Sequence, residues 1–368
     1  MILFSSPLLR WYHKNKRAMP WRDTRDPYRI LVSEIMLQQT QVQTVIPYYH
    51  RFLKAFPTFH ALANAPLDRV LKQWEGLGYY SRARNLHALA KDVVKNHRGQ
   101  LPRRYDEVLA LPGIGRYTAG AVLSIAFDQH FPVLDGNVQR VLTRCSLIEE
   151  NVKDSATQKK LWALATQLLP KKETGNYNQA LMELGATVCT PRAPSCSQCP
   201  LRRGCKALKA GRQEEFPVKD KAKAVPQFKI GAGIIWNGNK ILIGQRPLKG
   251  LLGGLWEFPG GKLEPGETLA QCVKREIKEE LDVTVKVGKK VAEVPHAYSH
   301  FKIVLHAFDC VYQSGRPKAI GCRAWKWVTP HELTTLAFPA ANQPIIAQLL
   351  GAIRLPKSQN ARAAVSSR

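Results

Sequence analysis

The chain has 368 residues, 45% of them hydrophobic, which excludes a disordered tail or one small core and points to two folded domains. Lysine and arginine exceed aspartate and glutamate by 55 to 28; the excess of +27 divides as +17 over residues 1–225 and +10 over 226–368. With both parts basic, the expected partner is a polyanion, nucleic acid first. No apolar run nears the roughly 18 residues of a bilayer span, and the apolar start MILFSSPLL lacks a basic n-region and a cleavage site, so no membrane partner is expected and the location reads as cytoplasmic.

Taken in chain order, residues 1–205 read as a helical domain. Segments 30–37, 42–56, 67–74, 85–94 and 161–169 carry apolar residues three and four apart, punctuated by Pro27, Pro47, Pro57, Pro66, Pro102 and Pro112. The pattern dissolves over 206–227, charged and broken by proline, which reads as a linker. Then the period changes. Runs at 229–236 and 240–245 flank Asn237-Gly238-Asn239, a hairpin signal. A polar helix over 267–281, strands at 283–294, 301–312 and 324–328, and a helix near 339–353 complete an α+β domain over 228–353. The basic, Ser/Ala-rich end from 354 to 368 reads as a disordered tail.

Of eight cysteines, four cluster as Cys189, Cys196, Cys199 and Cys205, a C-x6-C-x2-C-x5-C run. Four thiolates so close can cage one metal centre. Zinc accepts four sulfurs, so a structural zinc site is one reading. The spacing itself resembles the [4Fe-4S] loop of endonuclease III and its relatives, over 189–205. Cys145, Cys272, Cys310 and Cys322 read as buried thiols.

Residues 111–121, LPGIGRYTAGA, place Gly113 and Gly115 at the start of a helix, where backbone N–H groups can face a phosphate. This stretch, about 105–127, resembles the helix-hairpin-helix of base-excision glycosylases. Downstream, Asp135 stands between an apolar run and a new helix; upstream, Glu34 sits on an apolar helix. Either alone reads as a cap or a surface charge. Together they suit the breaking of an N-glycosidic bond, in which one carboxyl of raised pKa protonates the leaving base and an ionised one stabilises the sugar cation. The base must first be flipped from the duplex.

With hairpin, carboxylates and cysteine loop in this order, the chain resembles, over nearly its whole length, the MutY family of adenine DNA glycosylases. The resemblance implies a monomer that removes adenine from duplex DNA holding A:8-oxoguanine or A:G mispairs, in the nucleoid. By it Glu34 protonates adenine N7, Asp135 stabilises or traps the sugar cation, and Tyr117 and Asn137 help position them. Trp21, Arg22, Leu37 and Gln179 line the adenine pocket, although Trp21 and Leu37 also suit ordinary core packing. Gln39 and Thr40, with Leu77 and Tyr79, surround the 8-oxoguanine, Tyr79 as intercalating wedge. Bifunctional relatives carry a lysine where Tyr117 stands, and none lies between Leu111 and Ser124; base removal without strand cleavage is therefore expected. A reading outside enzymology, a redox-sensing DNA-binding module, predicts binding without excision.

Residues 261–283 follow the Nudix pattern at Gly261, Glu267, Arg275, Glu276, Ile277, Glu279, Glu280 and Val283, with Asp282 in place of glycine. Glu276, Glu279 and Glu280 share a helix face that can gather Mg²⁺ to hydrolyse a nucleoside diphosphate linkage. In the resembled family this domain reads 8-oxoguanine instead, here through Ser299 and His300. Recognition is the favoured expectation, since a domain tethered to a glycosylase gains from reading the opposite base, and 8-oxo-dGTP hydrolysis is the alternative, further disfavoured because Asp282 is expected to disturb the turn after the helix.

Overall fold

A computed structural model describes residues 5–220, 225–298 and 300–354. Ser299 and the expected tail from residue 355 onward thus lie outside the described residues. The rest falls into two compact units, one within Met1–Ala65 and Arg82–Lys223, the other within Pro66–Ser81 and Ala224–Arg368. Among the described residues no helix is long and apolar enough to cross a membrane.

The first part of the chain forms α1 (Ser5–Asn15), α2 (Pro27–Leu37), α3 (Val42–Ala55), α4 (Phe59–Ala63), α5 (Leu67–Trp74), α6 (Ser81–Asn96), α7 (Tyr105–Ala110), α8 (Arg116–Phe127), α9 (Gly136–Ser146), α10 (Ser155–Gln167), α11 (Thr174–Thr187) and α12 (Lys206–Lys209). All but α5 and the first residue of α6 lie in the first unit. Helix α2 starts where Asp26 accepts from the Tyr28 amide at 2.9 Å and Pro27 presets the first turn. It packs on α3 and α8, so it is buried nearly all round, Glu34 included. Helix α11 packs against α1, α8 and α9. Its Gly185 meets α9 so closely that an added Cβ would stand 2.6 Å from the Asn137 Cβ. Glycine is what lets the two backbones approach.

Between α7 and α8 the chain turns through Gly113, whose φ of 75° is open to glycine, and enters α8 with Gly115 at its N-cap. The linker expected over 206–227 is shorter than its composition implied. Residues up to 220 fold onto the first unit because Phe216 is buried, its carbonyl accepts from Arg144 at 3.1 Å, and the Val152 amide donates to the Val218 carbonyl.

The second unit holds β1 (Gln227–Asn237), β2 (Lys240–Gln245), β3 (Trp256–Glu257), β4 (Gly260–Lys262), α13 (Leu269–Leu281), β5 (Thr284–Ala297), β6 (Lys302–Ser314), β7 (Ala324–Val328) and α14 (Gln343–Arg354). One sheet runs β3-β2-β1-β6-β5, with β4 on β1 and β7 on β2. The hairpin turns through Gly238 with Asn237 opposite Lys240, as its sequence signalled. The long β1–β6 pairing is parallel. Alternation then sends Ile234, Ile241 and Ile243 to one core with Phe338 and Ile345, and Ile235 and Leu242 to another with Val273, Ile277 and Leu281 of α13. Both faces are covered, which explains the unbroken apolar runs. Helix α13 opens on a Thr268–Gln271 capping box. Asp282 closes it at φ 56°, so the turn forms despite the missing glycine; aspartate tolerates this region, and Lys278 and Lys318 hold its carboxylate.

Candidate active site

In the first unit a cleft of about 1040 Å³ gathers most of the residues singled out in the sequence: Trp21, Arg22, Glu34, Leu37, Gln39, Thr40, Gly115, Tyr117, Asp135, Asn137 and Gln179. Glu34, only 5% exposed, accepts a 2.8 Å hydrogen bond from the Tyr117 hydroxyl, which also reaches Met182 Sδ at 3.1 Å. Burial pushes the Glu34 carboxyl up to about 7, and the Asp135 charge adds to this against the Tyr117 hydrogen bond and Arg22. It is therefore a carboxyl near half-protonation at neutral pH, facing open space.

Asp135 caps α9. Its Oδ1 accepts from the Val138 amide at 2.7 Å and its Oδ2 from Asn137 Nδ2 at 2.9 Å. Burial raises its pKa, while those donors and the Arg140 cation oppose the rise. Arg140 extends the bracing outward, with its guanidinium on Asn137 Oδ1 (2.8 Å), the Gly185 carbonyl (2.7 Å) and the Cys189 carbonyl (2.7 Å). A continuous set of hydrogen bonds thus runs from the cysteine loop to the Asp135 carboxylate.

Two of these groups escaped the sequence reading. Arg140 resembled any helix-surface arginine. Glu183, fully buried on α11, takes Arg17 at 2.7 Å and Arg22 at 2.8 Å; burial alone would raise it, but the two arginines hold it down at about 2. Its signal was present, because Gln179, Met182, Glu183 and Ala186 fall on one helical face and all line the cleft. Trp21 serves cleft and core at once, its ring edge-on to Tyr49 at 5.3 Å.

The remaining residues lie elsewhere. Gly113 is exposed in the hairpin. Leu77 and Tyr79 belong with the second unit, where His300 is exposed. Cys189, Cys196, Cys199 and Cys205 line one cavity with Arg144, Cys145 and Leu208. Fully buried Arg144 holds their loop, donating to the Thr190 and Pro191 carbonyls at 2.7 and 3.0 Å and to Cys189 Sγ at 3.4 Å. Among the described residues no three His, Cys, Asp or Glu side chains close on a single-ion site. The thiols surround a shared space instead.

The acidic face of α13 is already occupied. Arg275 bonds Glu267 at 2.6 Å, Glu276 at 3.0 Å and Glu279 at 3.1 Å. Burial and the neighbouring Glu257 push Glu280 up to about 8, and it accepts from the Gly260 amide. Glu257 is itself held by Arg246 at 2.6 Å.

Residues 32–167 match the family model of the HhH-GPD superfamily of base excision DNA repair proteins, and residues 231–348 that of the NUDIX domain. The human adenine DNA glycosylase is 36% identical over 93% of this chain and 73% of its own length. That of Buchnera aphidicola subsp. Schizaphis graminum is 36% identical over 82% and 85%. The solved structure of a thermostable thymine-DNA glycosylase superposes with a TM-score of 0.51 at 32% identity, covering 56% of this chain and 95% of its own. A helix-hairpin-helix repair domain that holds a paired-carboxylate cleft, followed in sequence by a Nudix domain and matched along nearly the whole chain, leaves one conclusion: the chain belongs to the adenine DNA glycosylases, enzymes of DNA base-excision repair.

Proposed function

We propose that this glycosylase excises adenine mispaired with 8-oxoguanine, or with guanine, from duplex DNA, and leaves an abasic site with the strand intact. The observation that carries the reading is Glu34, a buried carboxyl raised to about 7 beside a hydroxyl donor and opposite a second carboxylate in one cleft. The flipped adenine enters the cleft against Trp21, Leu37 and Gln179, with Arg22 fixed by Glu183. Glu34 gives its proton to adenine N7 as the bond from the sugar to N9 breaks and its electron pair leaves with the base. Asp135, whose carboxylate form is favoured by its donors, stabilises the cation left on the sugar. Water then adds to that carbon and passes its proton to a carboxylate. No amine takes part, since Tyr117 occupies the position where a lysine would form a Schiff base.

Cys189, Cys196, Cys199 and Cys205 would hold a [4Fe-4S] cluster, a body large enough to meet thiols that surround a common space and do not close on one ion. When bound it ties the basic loop into one rigid piece. Purified protein should be brown with a band near about 400 nm; a colourless, zinc-loaded sample would end the cluster reading.

Opposite the adenine, the Gln39-Thr40 turn, the Leu77-Gly78-Tyr79 loop with Tyr79 as wedge, and Ser299 with His300 read the 8-oxoguanine, while Gly113 and Gly115 take a phosphate through their amides. In the second unit recognition is favoured over hydrolysis, because Arg275 already ties up Glu276 and Glu279, two of the three acids that Mg²⁺ would need. The enzyme acts as a monomer in the nucleoid. Adenine release should be fastest from an A:8-oxoguanine duplex, slower from A:G and slowest from A:C, with no lyase-like trapping by borohydride. Equal rates on all three, or efficient trapping, would overturn the reading.

A further inference from the structure

Helix α5 lies in sequence among the glycosylase helices, yet it shares a compact unit with the Nudix sheet. Three polar side chains at i, i+4 and i+7 explain how. Asp68 Oδ1 accepts from Gln245 Nε2 at 2.9 Å. Lys72 Nζ donates to the Leu336 carbonyl at 2.9 Å and pairs with Glu75. Glu75 Oε1 accepts from both the Phe338 amide and Gln343 Nε2, each at 2.8 Å.

The anchors on the sheet side are rigid. Gln245 is buried at the end of β2 and its amide also donates to the Gly254 carbonyl. Phe338 is fully buried in the sheet's core, and the preceding Ala337 carbonyl accepts from the Trp256 amide of β3. Gln343 opens α14. Each bond therefore ends on a group that cannot shift without disturbing the core.

On the other side, Glu75 is the C-cap of α5, and the wedge loop begins at the next residue. The loop is tightly specified. Gly76, Gly78 and Tyr79 have φ of 92°, 77° and 48°, the last unusual for a residue with a side chain. Trp74 Nε1 donates to the Gly78 carbonyl at 3.1 Å, and the Gly76 amide to the Tyr80 hydroxyl at 3.0 Å. A stiff loop is aimed by whatever fixes its base.

We infer that Asp68, Lys72 and Glu75 are positioning residues that bolt the Leu77-Gly78-Tyr79 loop to the Nudix sheet, so that the loop that inserts beside 8-oxoguanine and the domain that reads it move as one body. The inference rests on the proposed wedge role of Tyr79. It makes the Nudix domain a mechanical partner of the loop as well as a reader of the base, and it assigns specificity to residues that touch no DNA.

The test uses full-length, cluster-loaded protein and a duplex with 2-aminopurine stacked next to 8-oxoguanine, whose fluorescence reports insertion. Glu75→Ala should weaken the fluorescence change and lower the preference for A:8-oxoguanine over A:C by about fivefold or more. Gln343→Ala should do the same from the other side, and the double variant should be no worse than the stronger single one. Glu75→Gln keeps an acceptor oxygen and should restore most of the preference. A merely structural role would slow both substrates alike and leave their ratio unmoved. Tyr79→Ala is the control: if it abolishes the signal while Glu75→Ala and Gln343→Ala leave signal and preference as in the wild type, the bolt is disproved and the wedge survives. If Tyr79→Ala leaves the signal intact, the wedge reading falls and the bolt's assigned purpose with it.

Discussion

The molecule holds two groups of carboxylates, and their surroundings give them opposite fates. In the helical cleft, Glu34 and Asp135 meet a hydroxyl, an amide and a carboxamide, hydrogen-bond donors that oppose the rise burial imposes on both acids. In the Nudix domain, Glu267, Glu276 and Glu279 converge on the single guanidinium of Arg275, while Arg246 takes Glu257. One set faces an open cleft with no arginine, among the described residues, bound to either carboxyl. The other is tied up by arginines. What an acid can do depends on whether burial or a bound cation dominates its surroundings.

The comparison is broken most directly at Glu34. Glu34→Gln should lower adenine release by about a thousandfold or more in single turnover while duplex binding persists. Its stability should move the other way. Because the folded pKa of about 7 exceeds the ordinary value of 4.5, ionisation opposes folding. That penalty grows as pH rises from 4.5 to 7 and is full above, up to about 3 kcal/mol. The variant should therefore melt higher than the wild type at pH 8 and nearly the same at pH 4; a lower melting point at pH 8 would count against the buried acid.

Arg140→Gln should come next. It unties Asn137 from the Gly185 and Cys189 carbonyls, misplaces the Asp135 cap, and should cost about a hundredfold in the chemical step. Unchanged single-turnover rates would show the bracing to be incidental. Gly185→Ala forces α9 from α11 at Asn137 and should destabilise the helical unit by about 1–3 kcal/mol, seen as an earlier thermal transition. Smallest of all, Glu280→Gln should leave adenine release unaltered, and the wild type should turn over no 8-oxo-dGTP with Mg²⁺. Turnover abolished by that same substitution would reverse the contrast between the two acid groups.

Periodicity made much of this legible. The apolar faces of α2, α3, α5 and α6, the glycine hairpin and the Nudix helix all follow from local spacing, and local spacing is what sequence displays. What it hid depends on long-range pairing. The parallel β1–β6 ladder joins strands some seventy residues apart in the chain, about the separation of 229 and 304. Residues 206–220 read as a linker because only two buried side chains, Ala207 and Phe216, fix them. Helix α5 read as an ordinary member of the helical domain because its polar face, Asp68, Lys72 and Glu75, resembles a solvated one until its partners are known. In the site the same rule held. Glu34 and Asp135 stood out through their motifs and Glu183 had only its place on the Gln179 face, whereas Arg140 became visible only through its partners.

The claim at the centre is that a protonated Glu34 drives base release, and a pH profile tests it most directly. Single-turnover adenine release from an A:8-oxoguanine duplex should hold steady in mild acid and fall about tenfold per pH unit once the pH exceeds about 7, where the Glu34 carboxyl loses its proton. A rate that stays flat or climbs through pH 9, or a Glu34→Gln enzyme that keeps the wild-type rate and profile, would contradict it.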